Sequence, residues 1–426
     1  MKKIIKFFHT FIFLAIYACY DSRLRKGLVF GRAWSPLKFS ARFFPFWFGK
    51  YNYNNILLHA KGVLNNEDIK ISDSGTFNFT RYLEKKLLQN MVQIMKLPFS
   101  PFSGYITTGA TEANIYAMWF AREWARAKIK ELKSNKIYWI IPDNTHYSIK
   151  KALHLLDICN NSNNEVIIIK TDLLGRANYE EITGNIKKIR NYDSGPIILS
   201  LTVMTTECGS IDPVVEVDDF INRSKFNNIF FHIDAAFSGL FLPFLDEYSN
   251  IFLLQSLSSI SIDFHKTIGG PVGSGSIIFR SGLEKHISSY VSYLSGNKDE
   301  TLVGSRKGAD AIAVYSILSV NSLSDIKKDI LNTLEKTLFL AQEMSSINFI
   351  KLLYEPKLNY IVFYFLNIDK QKEKKMREVL KSYSITPSVV NIEDKKQELF
   401  KIIIRKDHTY KKIKTLISDL KLISLV

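Results

Sequence analysis

The 426-residue chain is 46% hydrophobic and 23% charged, a balance that excludes extended disorder and leaves room for two domains. Its formal net charge of +16 raises nucleic-acid binding, but the lysines are spread along the chain with no zinc-finger or RNA-recognition spacing, so that class is set aside. Three cysteines (Cys19, Cys159 and Cys208) make no CxxC pair, and the eight histidines show no metal-ligand spacing, so neither a disulfide framework nor a metal is expected.

Residues 1–60 read as an N-terminal apolar and helical segment. Ile4 to Tyr20 is strongly apolar after Lys2 and Lys3, but Lys6 and His9 interrupt it. What remains is shorter than the ~20 apolar residues needed to span a bilayer. A helix that packs on the fold or clasps a dimer is expected. Weak membrane association through residues 1–20 and a cleaved signal ending near Ala18-Cys19 are the alternatives. The cysteine usage points to the cytoplasm.

Residues 61–320 form the large domain of this reading. Strands are predicted at Gly104–Thr108, Ile137–Ile141, Val166–Ile169, Ile197–Val203, Ile229–Ile233 and Ser259–Ile262. Helices are predicted at Thr111–Lys133, Tyr147–Asp157, Tyr179–Arg190 and Val214–Lys225. Such alternation makes an α/β fold with a mostly parallel sheet and helices on both faces. Ligands in such sheets sit beyond the carboxyl ends of the strands. Residues 321–426 read as a smaller α+β domain, with strands at Leu358–Leu366 and Leu399–Ile404 and amphipathic helices at Lys370–Ser382 and Thr409–Leu420.

The residues that carry chemistry fall at those strand ends. Lys266 follows an apolar strand and enters the turn Gly269-Gly270-Pro271. A lysine so placed is a candidate for an amine that condenses with a carbonyl, although a surface lysine is the bland alternative. Asp234 ends an apolar run and precedes Ala235 and Ala236; it needs a partner when buried, and a pyridinium N–H would serve. A helix N-cap is the other reading of Asp234. Together Lys266 and Asp234 suggest a pyridoxal 5'-phosphate (PLP) Schiff base with a carboxylate for the ring nitrogen. The turn at Gly109, Ala110 and Thr111 opens a helix, where free amides, the helix dipole and a hydroxyl favour a phosphate. Thr108 or Thr111 acting as a plain N-cap would explain part of that pattern. His146 can stack on a ring or act on a proton, and Thr205 can offer a hydroxyl to a ring oxygen.

The order of these features resembles the group II PLP-dependent decarboxylases of fold type I. The strings that carry the resemblance are GYITTGATEANIY at 104–116, THYSIKK at 145–151, HIDAAFSG at 232–239 with LPF at 242–244, HKTIGGP at 265–271 and LVGSRKG at 302–308. It covers roughly residues 60 to 320 and looks closest to the histidine/serine decarboxylase branch, with the tyrosine/aspartate decarboxylases next. It implies a PLP-dependent transferase-like large domain with a small C-terminal α+β domain. It further implies Lys266 as the Schiff-base lysine, Asp234 as the pyridine partner, His146 as the stacking group, and Ala110 with Thr111 at the phosphate. Thr205, Ala236 and His265 complete the cofactor set, Tyr293 in a loop is the implied proton donor, and Arg306 is a structural or carboxylate-proximal cation.

The chain departs from that branch at three places. Asp263-Phe264 replaces the Ser-Gly that typically precedes His-Lys, Ala110 replaces a glycine, and Gly273-Ser274 replaces Pro-Cys. The expected activity is decarboxylation of an L-amino acid to its amine, with a histidine-like substrate and a homodimer. A sphingosine-phosphate-lyase-like carbon–carbon lyase is the first rival, against which Val272 stands where those lyases usually carry a second lysine. A non-catalytic, membrane-associated protein on a PLP fold is the second.

Overall fold

The computed structural model describes residues 76–98, 101–132, 134–292, 298–304, 306, 308–392 and 395–425. The expectations for residues 1–60 and for Tyr293 lie outside these residues. The described residues divide into two compact units, one of those between 76 and 328 with 390–392 and 395–397, the other of residues 329–389 with 398–425.

The larger unit is built on a seven-stranded sheet. Its strands are β1 (Phe102–Thr107), β2 (Ile137–Pro142), β3 (Asn164–Ile169), β4 (Ile197–Thr202), β5 (Ile229–Asp234), β6 (Leu257–Asp263) and β7 (Gly275–Arg280), in the spatial order β1-β7-β6-β5-β4-β2-β3. Strands β3, β2, β4, β5 and β6 pair in parallel, as the β-α alternation predicts. Every residue of β2, β4 and β6 is buried, which is why these strands read as continuous apolar runs rather than alternating ones.

Strand β7 lies outside the sequence expectation. It runs antiparallel to both β1 and β6 and wedges between them. The sequence between β6 and β7 holds only a single helical turn, too little for the crossover that a parallel strand needs. Gly275, the first residue of β7, is forced by this arrangement. A Cβ there would stand 2.6 Å from the Ile262 carbonyl oxygen and 2.9 Å from the Gly109 backbone. The turn after β1 and the turn before β7 therefore touch backbone to backbone.

The helices of this unit are α1 (Thr76–Met95), α2 (Ala110–Leu132), α3 (Tyr147–Leu155), α4 (Tyr179–Tyr192), α5 (Val214–Ser224), the one-turn α6 (Phe264–Thr267) and α7 (Gly308–Val320). Helix α2 forms because Ala113, Tyr116, Ala117, Phe120, Ala121 and Trp124 recur at helical spacing and pack into one core with Trp139, Ile141, Phe230 and Phe279. Two polar residues, Glu112 and Asn114, are buried on the same helix. A short ribbon, β8 (Ser289–Tyr290) with β9 (Lys298–Asp299), follows β7.

The smaller unit takes in most of α8 (Leu323–Ser345), then β10 (Ile350–Leu352), β11 (Tyr360–Phe365), α9 (Lys370–Ser382), the start of β12 (Ser388–Ile392), the later part of β13 (Lys395–Ile403) and α10 (Tyr410–Leu425). Its four-stranded sheet has the order β10-β11-β13-β12, the α+β pattern expected from the sequence. Leu340, Met344, Phe363, Met376, Phe400 and Leu416 join the sheet to its helices. Among the described residues no helix is long and apolar enough to cross a membrane.

Candidate active site

Four of the sequence-predicted residues, Asp234, His265, Lys266 and His146, lie beyond the carboxyl ends of strands of the larger unit, together with Asp263. Asp234 is the last residue of β5 and Asp263 the last of β6, while Lys266 and His265 follow on α6. His146 caps the start of α3, four residues beyond β2. The charges of Asp234, Lys266, Asp263 and Glu207 all act on the His146 ring. Burial holds the imidazole below its ordinary range, and the carboxylates oppose that shift.

Asp234 is 3% exposed and has no ion pair among the described residues. Its carboxylate accepts the Asn114 amide at 2.7 Å and the Ala236 backbone N–H at 3.0 Å. No helix follows Asp234, so the N-cap reading is replaced by a turn in which the side chain receives the amide two residues on. This is a buried carboxyl group supplied only with neutral donors among the described residues. Such a group is left with an appetite for a cation or an N–H.

Asn114, to which sequence reasoning assigned no role, orients the whole cluster. Its Nδ2 donates to Asp234 and, at 2.8 Å, to the Ser148 hydroxyl. Because a carboxylate only accepts, the amide nitrogen must face Asp234 and the amide oxygen must face the other way. That oxygen accepts the Ser261 hydroxyl at 2.6 Å and stands 3.1 Å from His232 Nε2. His232 therefore carries its proton on Nε2 and receives Ser259 at Nδ1, 2.9 Å away. Complete burial pushes the His232 imidazole down to about 4. On the other side, the Ser148 hydroxyl reaches His146 Nδ1 at 2.7 Å, which leaves the His146 proton on Nε2. The signal for Asn114 was present in the sequence: a polar residue set in an apolar helical stripe requires partners.

At the other end of the cluster lies the turn that opens α2. Thr108 does not act as an N-cap; its N–H and its hydroxyl both donate to Glu112, each at 2.7 Å. Gly109 takes the positive φ of 119° that the turn demands. The acceptor at the helix start is instead Asp263, distant by 153 residues in sequence, whose Oδ1 receives the Ala110 N–H at 2.6 Å. The Thr111 amide, one residue along, has no acceptor among the described residues. Asp263 Oδ2 also stands 3.1 Å from Lys266 Nζ, and the side chain is almost fully buried.

The remaining candidates take clear positions. His265 Nδ1 lies 3.2 Å from the Ser274 carbonyl, so it carries a proton there and the ring is fixed by the backbone. Thr205 lies beyond β4, where its hydroxyl oxygen accepts the Ser210 N–H at 3.1 Å and its own hydrogen stays available to donate. Ala236 is buried beside Asp234. Arg306 pairs with Glu84, donates to the Ile106 carbonyl at 3.2 Å and lies over the Tyr105 ring, which is a structural engagement.

The donor set fits a pyridoxal group. A buried carboxylate without a cation, a lysine amine and an imidazole stand together, beside a small-residue turn whose Gly109 has no side chain to fill it. Comparison with known proteins gives the same direction. Residues 78–365 match the family described as the pyridoxal-dependent decarboxylase conserved domain. The chain is 30% identical over 339 residues to the L-tyrosine/L-aspartate decarboxylase of Methanocaldococcus jannaschii, covering 76% of this chain and 79% of that one. It is 26% identical over 263 residues to the histidine decarboxylase of Morganella morganii, covering 61% and 65%. Among solved structures, the sphingosine-1-phosphate lyase of Burkholderia pseudomallei superposes with a TM-score of 0.73 at 16% identity, covering 98% of this chain and 89% of that one. At that identity the likeness is one of fold.

Proposed function

This chain belongs to the pyridoxal-dependent decarboxylase family, a PLP-dependent carboxy-lyase acting on amino acids, and from that premise we propose a substrate and a role for each residue of the site. The substrate is an L-amino acid with a ring-bearing, non-acidic side chain, histidine first and tyrosine second. The single observation that carries the residue roles is the meeting of Lys266, Asp234 and His146 beyond β6, β5 and β2.

When bound, PLP supplies an aldehyde that condenses with amines and a protonated ring that draws off the electron pair left by departing carbon dioxide. Lys266 is the amine that would hold the cofactor through its aldehyde. Asp234, oriented by Asn114 and Ala236, holds the proton on the pyridine nitrogen. His146, fixed through Ser148, would flank the cofactor and presents its Nε2 proton. Thr111 with Ala110 serves the phosphate, His265 closes that side, and Thr205 offers its hydroxyl hydrogen to a ring oxygen. Tyr293, with His146 as alternative, returns the proton to the α-carbon.

The preference for a non-acidic side chain rests on charge. Asp234 and Asp263 already place two carboxylates beside the site, and Glu84 engages Arg306, the cation that an acidic substrate would want. A second copy of the chain completing the site is part of the same proposal, by analogy with the fold. The test is to purify the protein with PLP, record its visible absorption with and without Lys266→Ala, and measure carbon dioxide release from single L-amino acids. Histidine should release it fastest. Release from aspartate alone would overturn the substrate assignment. Loss of no absorption band on replacing Lys266 would overturn the cofactor role of that lysine. Aldehyde release from a phosphorylated amino alcohol, without carbon dioxide from any amino acid, would mark a carbon–carbon lyase.

A further inference from the structure

We propose that Asn114 is a positioning residue that couples the two ends of the site: its one amide group aims the Asp234 carboxylate and, through Ser148, keeps His146 neutral with its proton on Nε2. The role of Asp234 in this coupling rests on the cofactor reading above; the role of His146 does not.

The direction of each hydrogen bond in the cluster carries the inference. Asn114 is fully buried on α2 and reaches four groups on β5, β6 and α3. Its two N–H hydrogens go to Asp234 at 2.7 Å and to the Ser148 hydroxyl oxygen at 2.8 Å. The Ser148 hydrogen is thereby turned toward His146 Nδ1, 2.7 Å away and its one acceptor among the described residues. The Ser148 backbone N–H points at the same nitrogen from 3.4 Å. A proton on His146 Nδ1 would face both donors, so the charged imidazole is disfavoured while Asn114 holds the hydroxyl in place. The reversed amide is shut out from the far side. The Ser261 hydroxyl and His232 Nε2 approach the Asn114 oxygen at 2.6 and 3.1 Å, and reversal would set an amide oxygen 2.7 Å from a carboxylate. A side chain that only filled space would give the cluster no direction.

Charge can be separated from this effect. Asp234, Lys266, Asp263 and Glu207 act on the His146 ring, and Tyr147 lies beside it with 4.3 Å between ring centres. None of these groups changes when neutral Asn114 or Ser148 is replaced. A change in how readily His146 takes up a proton therefore reports on the hydrogen bonds.

The test follows His146 by NMR of labelled histidine side chains in the cofactor-free full-length chain, assigned with His146→Gln, and PLP binding by equilibrium dialysis. Asn114→Leu should raise the pH at which His146 takes up its proton by about one unit and weaken PLP by about tenfold or more, as expected when each group loses a hydrogen bond. Ser148→Ala cuts one branch only, so it should raise the His146 midpoint by a similar amount and leave PLP binding within about threefold. An unmoved His146 midpoint in either folded variant would overturn the coupling, and Ser148→Ala supplies that reading if Asn114→Leu does not fold. PLP binding by folded Asn114→Leu equal to that of the unaltered chain would overturn the role at Asp234. Absence of PLP binding to the unaltered chain would instead overturn the cofactor reading and the Asp234 role with it, while the titration still decides the role at His146.

Discussion

Asp234 and Asp263 end neighbouring parallel strands, and both are buried, at 3% and 4% exposure, yet their surroundings are opposite. Asp234 is held by an amide, a backbone N–H and a nearby hydroxyl, all neutral. Asp263 already has a lysine amine and the first amide of a helix. The difference teaches how a cleft of this kind is polarised. A carboxylate with neutral donors is positioned to receive a proton-bearing nitrogen, while one with a cation and a helix start is already served. Residue type alone does not separate the two; the partners do.

The most severe way to test this contrast is Asp234→Asn, which keeps the shape and removes the charge. Decarboxylation should fall by about a thousandfold or more, while the cofactor-free protein changes in stability by no more than about 1 kcal/mol, because a lost hydrogen bond is offset by the removal of a buried charge. An unchanged rate would make the two aspartates equivalent. Next in size is the acid response of the Asp234 end. His232 is neutral in the folded chain, pushed down to about 4, but an unfolded histidine takes up a proton near 6.5. Its contribution is therefore present above pH 6.5 and is lost as pH falls toward 4, by roughly 3 kcal/mol. Denaturant unfolding at pH 7 and pH 4 should show this loss, and His232→Gln should reduce it; an equal loss in the variant would move the acid sensitivity elsewhere.

Gly275→Ala probes the other end. Its methyl group would press on the Ile262 carbonyl and the Gly109 backbone, costing about 2 kcal/mol in unfolding measurements. It should also loosen PLP binding, because the turn that carries Ala110 must shift. Stability lost with PLP affinity retained would separate that contact from the phosphate turn. The smallest effect is expected of Ser148→Ala, at about 1 kcal/mol, since it leaves one Asn114 hydrogen unpaired and His146 Nδ1 with only the residue-148 backbone N–H at 3.4 Å. No measurable change would take Ser148 out of the chain that links His146 to Asp234.

Much of the sheet was legible because a buried parallel strand must be a short apolar run, and β2, β4 and β5 read in that way. Strand β7 was not legible. Its neighbours β1 and β6 are chosen by a close glycine contact rather than by any local pattern. At the site, Lys266 and Asp234 stood out because a lysine and an aspartate are costly beside apolar strands. The capping of α2 was hidden for the opposite reason: local reasoning looks to Thr108 and Thr111, and the true acceptor is Asp263 on a strand far along the chain. Arg306 was identified as a cation of consequence, but its partner Glu84 lies on α1 and has no sequence signal that points to it.

Asn114 has a consequence for how this protein can change over generations. Its two amide hydrogens and the two lone pairs of its oxygen are all taken, by Asp234, Ser148, Ser261 and His232. Aspartate in its place would set one carboxylate against another, leucine would orphan four buried groups, and glutamine would displace them. No single substitution keeps the set intact, so drift at this position requires matching changes on α3, β5 and β6. The helix face that carries Asn114 is therefore a poor place for new specificities to arise, and variation in what this fold acts upon is channelled into the loops.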